Sequence, residues 1–152
     1  MSTEPTAATP IVCDMTDAPD TAEERMAEWG RLLAAAYTGR ERTEGGVRLR
    51  VRADEGIQAW VRDLAARDKA CCPFLDFTVT TAPGEVRWDV TLAEGTVMDD
   101  DMARTIMDAF YHLPDTIGGG VAAMVGRLGE RGLAVSRNAS GTVMEVQHAT
   151  GA

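Results

Sequence analysis

Two adjacent thiols, Cys71 and Cys72, close a helical pattern in the stretch Asp68-Lys69-Ala70-Cys71-Cys72-Pro73-Phe74, where the proline forbids the helix to continue. The chain holds three cysteines, and the third, Cys13, lies in a short apolar run near the N-terminus. If the fold carries Cys13 to the Cys71-Cys72 corner, all the thiols meet at one place. Cys13, Cys71 and Cys72 are then candidate ligands for a soft ion, since mercuric, cuprous, zinc and arsenite-like species all prefer sulfur. A structural zinc site takes four ligands, usually from two Cys-x-x-Cys-like knuckles, and this spacing does not supply them. The lower coordination number that mercuric or cuprous ions tolerate fits better. The alternative is structural, because free cysteine is among the most buried residue types and packs as a small hydrophobe.

The helix that ends at the double cysteine carries Ile57, Trp60, Val61 and Leu64 on one stripe, and at 100° per residue the stripe continues through Asp68 and Cys71. An acidic residue in an apolar face needs a partner or a raised pKa, and Arg25 of the preceding helix is the first candidate partner. Asp68 and Cys71 are therefore the candidate catalytic pair, with Asp68 as proton donor and Cys71 as nucleophile. A thiol at a helix C-terminus meets the wrong end of the dipole for thiolate stabilisation, so its activation needs a nearby cation such as Arg25. No organic cofactor is indicated: Gly118-Gly119-Gly120 follows a helix and lacks the Lys and Ser/Thr of a phosphate loop. A soft metal ion is the one cofactor the residues suggest.

These residues need a scaffold to bring them together. Ile11-Val12-Cys13 reads as a first strand, and Asp20 with Glu23 as a capping box for a helix from about Thr21 to Tyr37. Val47 to Ala53 alternates strictly between apolar residues and arginine, with the arginine face expected to meet water more than acidic partners. Helix two starts near Asp54 or Glu55. Phe74 to Thr81 and Val86 to Val90 form a hairpin around Ala82-Pro83-Gly84-Glu85. Asp99-Asp100-Asp101 caps a third helix with Met102, Ile106, Ala109, Phe110 and Leu113 inward. Helix four covers about Val121 to Arg131, and Asn138 to Gly141 is the turn of a terminal hairpin. The order is β-α-β-α-β-β-α-α plus that hairpin: an α+β single domain with a mainly antiparallel sheet and helices packed on one face. Residues 1–10 are expected to be disordered, 11–147 to form the domain, and 148–152 to be a flexible tail containing His148.

With 152 residues, 45% of them hydrophobic, the chain can bury one core, and its formal net charge of −9 argues against nucleic acid and anionic membranes as partners. No window approaches the roughly 18–20 apolar residues of a membrane span, and the N-terminus lacks the order of a signal peptide. Those readings place the protein in the cytoplasm, with reduced thiols and no disulfide framework. Its partners are then a small molecule or metal ion. Small residues Gly118, Ala122 and Gly126 at four-residue spacing, with helix faces rich in Met, Trp and Ala, fit either close helix packing, a ligand pocket or a homodimer interface.

The pattern of an acidic residue, two residues, then Cys-Cys-Pro-Phe at a helix-to-strand corner, here Asp68, Cys71, Cys72, Pro73 and Phe74, resembles a small actinobacterial domain associated with mercury resistance and with segments appended to MerR-type regulators. Cys13 and the helix bearing Arg25 and Trp29 fit it as well, so that the likeness covers roughly residues 11–95. No helix-turn-helix precedes it, and the C-terminal third departs from the short form of that domain. The resemblance implies handling of a soft metal ion or thiol-reactive small molecule by the cysteine cluster. The alternatives are a cysteine-dependent enzyme of small-molecule metabolism and a non-catalytic dimeric ligand-binding module.

Overall fold

A computed structural model describes residues 11–149; residues 1–10, the N-terminal segment expected to be disordered, and residues 150–152 of the tail lie outside the described residues. The elements are β1 (Ile11–Asp14), α1 (Ala22–Ala36), β2 (Tyr37–Thr43), β3 (Gly46–Arg52), α2 (Ile57–Cys71), β4 (Leu75–Ala82), β5 (Glu85–Leu92), α3 (Asp100–Tyr111), α4 (Leu113–Thr116), a 3-10 turn over Ile117–Gly119, α5 (Gly120–Glu130), β6 (Leu133–Arg137) and β7 (Val143–His148). This is an α+β fold. Its antiparallel strands form two sheets, a four-stranded one in the order β2-β3-β5-β4 and a three-stranded one in the order β1-β7-β6.

The apolar side of β3 and β5 buries Val47, Leu49, Val51, Val86, Trp88 and Val90 beneath the helices, as strict alternation requires. On the opposite side the arginines of β3 are paired more than solvated. Arg48 donates to Asp89, directly across on β5, at 2.8 and 2.9 Å, and Arg52 bonds Asp54 at 3.2 Å. The acidic residue at its cross-strand position makes an ion pair of Arg48, whereas Arg52, about half exposed, is held by Asp54 of the loop that follows β3. β2 is the element missing from the sequence reading. Its residues Tyr-Thr-Gly-Arg-Glu-Arg-Thr hide the apolar alternation, yet it pairs with β3 along the sheet edge. Gly46 lets β3 lie against β5, because a Cβ there would sit 1.9 Å from the Val90 carbonyl oxygen.

Helix α1 starts one residue later than its expected capping box. Thr21 accepts from the Glu24 N–H at 3.1 Å while Glu24 accepts from the Thr21 N–H at 2.9 Å. The shift releases Asp20 for a different task, described below. Helix α2 starts at Ile57 after Gly56, which holds φ at +82°, two residues past the expected acidic start. Asp99 caps α3 as expected, accepting from the Met102 N–H at 2.8 Å. His148, assigned by the sequence to a loose tail, is the last residue of β7 opposite Leu133, and its Nε2 lies 2.6 Å from Asp99 Oδ2.

Among the described residues no helix is long and apolar enough to cross a membrane. The two sheets share one buried core, with Ile11 of β1 and Leu133 of β6 packed into the same cluster as Leu64, Trp88 and Ile106. α5 packs on α1, α3 and β6, closing the side of the core that the four-stranded sheet leaves open.

Candidate functional site: a sulfur-walled cavity

The site is built from the ends of two elements that are distant in sequence. Cys71 is the last residue of α2, and Cys72 caps it, donating its N–H to the Asp68 carbonyl at 2.8 Å. Pro73 then turns the chain toward β4. Pairing of β1 with β7, which sets Cys13 opposite Met144, carries the first strand to this corner. Cys13 and Cys72 are joined in a disulfide, with Cα atoms 4.5 Å apart. This corrects the expectation of three reduced thiols. Cysteine spacing shows which residues are far apart in the chain, whereas bonding depends on the β1–β7 register, which spacing does not reveal.

Cys71 keeps the free thiol, buried at 6% exposure. Its Sγ lies 3.6 Å from Cys72 Sγ and 3.4 Å from the Asp68 carbonyl oxygen, to which it can donate. Arg25 Nη1 approaches the same sulfur at 3.8 Å. All three cysteines therefore meet at one corner. As a metal triad the set is corrected in one respect: with Cys13 and Cys72 bonded to each other, Cys71 is the thiol left to donate. Among the described residues no group of three or more His, Cys, Asp or Glu side chains is arranged to hold a metal ion.

Asp68 is the misfit that the helical stripe exposes, and its partners explain it. Arg25 Nη1 donates to Oδ1 at 2.8 Å, and the Trp29 indole N–H donates to Oδ2 at 2.9 Å. Burial pushes the carboxyl above its ordinary value, against the pull of these two donors. Burial also pushes the Cys71 thiol up, reinforced by the Asp68 charge and opposed by Arg25. Cys71 is thus held mainly as a thiol, so attack by its sulfur is slow.

Arg25 is itself enclosed, at 5% exposure, and Asp20 holds its other edge through two bonds of 2.7 Å. Burial works against the charge, and Asp20 with Asp68 more than offsets it, so the guanidinium stays protonated. The network extends to Arg67, which reaches Asp20 at 3.0 Å, Glu28 at 2.8 Å and Asp63 at 2.7 Å. Asp20, Trp29 and Arg67 were missed as site residues in the sequence. The available signal was the spacing of Asp63 and Arg67, one helical turn apart beside Asp68.

Behind the cysteines lies an almost wholly apolar cavity of about 190 Å³. Cys13, Cys71 and Cys72 form part of its wall, and Met15, Met26, Met124 and Met144 line it from the loop after β1, from α1, from α5 and from β7. Trp29 and Trp88 contribute a tilted pair with ring centroids 4.7 Å apart. A second, more polar pocket of about 260 Å³ also touches Cys71, between Asp14, Asp17, Arg25 and Arg67. The helix faces rich in Met and Trp therefore turn inward to a pocket. Gly118, Ala122 and Gly126 lie on the exposed side, and a Cβ at Gly118 or Gly126 would touch nothing.

Comparison with protein-family models, curated proteins and solved structures finds no match to this chain.

Proposed function

We propose that the protein binds a soft metal ion or thiol-reactive small molecule at the corner formed by Cys13, Cys71 and Cys72, with the apolar cavity receiving any organic group that the species carries. One observation carries this reading: the sulfurs of all three cysteines converge on the wall of a cavity that four methionines also line. Thiolate and thioether sulfur are soft donors, and an apolar wall excludes the water that would compete for a soft centre. Two-electron reduction of the Cys13–Cys72 bond by a dithiol converts the set from one thiol to three. Reduced protein is then the binding form. The likeness of the Cys-Cys-Pro-Phe corner to domains associated with mercury resistance supports the same reading.

The test is titration of reduced and oxidised protein with mercuric ion, followed by the thiolate-to-metal absorption band and by the remaining titratable thiol. Reduced wild type should bind about one ion per chain at least tenfold more tightly than the oxidised form, and the Cys72→Ser variant should lose that advantage. Equal binding by reduced wild type and by a variant lacking all three cysteines would overturn the proposal.

A further inference from the structure

The free thiol and the disulfide are in contact, which gives the cluster a chemistry that needs no bound ligand. We propose that Cys71 is the attacking thiol of an internal thiol–disulfide exchange that opens the Cys13–Cys72 bond and releases Cys13. Cys71 Sγ is 3.6 Å from Cys72 Sγ, a van der Waals contact between nucleophile and target, and Cys72 is bonded to Cys13. The Cys71 sulfur is also reached from the polar pocket that it shares with Asp14, Asp17, Arg25 and Arg67, so it has a route to solvent apart from the apolar cavity.

The step balances within the chain. The Cys71 S–H proton leaves to solvent through the polar pocket, and the sulfur electron pair forms a Cys71–Cys72 bond. The Cys72–Cys13 bond breaks with its electron pair on Cys13, which takes up a proton. One thiol and one disulfide are present before and after, so no oxidant or reductant is consumed. Burial keeps the thiolate fraction of Cys71 small, and the exchange is correspondingly slow.

The product differs in two respects that give the exchange a use. Adjacent Cα atoms across a trans peptide are about 3.8 Å apart, below the roughly 4.4 Å at which unstrained disulfides begin, so a Cys71–Cys72 bond is strained and easily reduced. An external dithiol can then take it to two thiols, itself becoming a disulfide. The released Cys13 no longer ties β1, and through it the three-stranded sheet, to the end of α2. Because Cys13 and Cys72 both stand in the cavity wall, that release frees the wall to move. Cys71 in this account is the internal catalyst of reduction by a dithiol, and the three-cysteine count is what such a relay requires.

The experiment uses the full chain as isolated, without reductant or metal. Native protein is alkylated with iodoacetamide, quenched in acid, digested and mapped for labelled and disulfide-linked peptides. Exchange places the label on Cys13, accompanied by a Cys71–Cys72 linkage, and Cys71→Ser lowers the rate of Cys13 labelling at least tenfold. Cys71→Ala should act in the same way, separating loss of the thiol from any effect of a hydroxyl. Label confined to Cys71 with Cys13–Cys72 intact would overturn the proposal, as would equal Cys13 labelling in wild type and both variants. The wild-type label position decides the matter even if a variant folds poorly. No soft ligand is present, so failure here leaves the binding proposal standing, and failure of mercuric ion to bind leaves the exchange standing.

Discussion

The indole N–H of Trp29 donates to Asp68 across the α1–α2 interface at 2.9 Å, on the carboxylate oxygen that Arg25 leaves free. Both oxygens of an acidic group on an apolar helix face are thereby satisfied, by one neutral and one charged donor. That arrangement makes Asp68 a structural joint between the helices and, through the same charge, a control on the neighbouring thiol.

Replacing Asp68 with Asn separates these roles. The amide can accept at one oxygen but presents N–H to the other buried donor, and a loss of roughly 1–3 kcal/mol in urea unfolding is expected. The missing charge also removes one of the two influences that raise Cys71, so the thiol should react faster with iodoacetamide at a given pH, its rate profile moving to lower pH. A variant with unchanged thiol reactivity would limit Asp68 to the structural role.

The Cys13–Cys72 bond links residues 59 apart in sequence, and the chain-entropy model assigns a loop of that size about 4 kcal/mol of stability at 25 °C. Denaturation with and without a dithiol reductant measures the difference. Cys71→Ser should respond to strong reductant like wild type at equilibrium, because Cys71 affects how the bond opens and adds nothing to the loop that it closes. A reductant-insensitive midpoint would show that the bond contributes no net stability.

Acid should act on the Arg25 network in two opposing directions. Hydrogen bonds from Arg25 hold Asp20 below the ordinary carboxylate value, against burial. Its contribution is therefore present above the unfolded-state pKa of about 4 and is lost as the pH falls through the lower folded value. Asp68, raised by burial, contributes most below the unfolded value and loses that contribution as the pH rises through its own folded value. Thermal melts from neutral pH downward should fall below about pH 4, and Asp20→Asn should flatten that acid limb. A wild-type slope retained in the variant would assign the acid sensitivity to other carboxylates.

The parts of this site that sequence made legible were those governed by local periodicity. The stripe through Ile57, Val61 and Leu64 exposed Asp68 as a misfit, and the proline after Cys72 fixed the corner. Arg25 followed as a partner because a buried carboxylate requires one, and it stands 2.8 Å away. β2 was hidden because its alternation is charged and its pairing with β3 is tertiary information. The bonding of Cys13 with Cys72 was hidden for the same reason, since it depends on β1 meeting β7 across nearly the full chain. The sulfur lining was beyond reach of any window, because Met15, Met26, Met124 and Met144 share no periodic relationship.

The cavity itself makes a prediction that involves no cysteine chemistry. Cavities of about 150 Å³ lined by aliphatic and aromatic side chains take up benzene, and the one behind Cys71 measures about 190 Å³ with an almost entirely apolar lining. Benzene at roughly ten times its dissociation constant adds about 1.4 kcal/mol to the folded state, or about 3–6 °C in melting temperature for a domain of this size. The rings of Trp29 and Trp88 line the space, so their fluorescence should change in the same titration. Ala109, 2% exposed and on the cavity wall, gives the control: Ala109→Leu fills part of the volume and should abolish the thermal shift. A shift of equal size in wild type and Ala109→Leu would place the benzene elsewhere, and with it would fall the argument that this cavity is the part of the molecule shaped to receive an organic group.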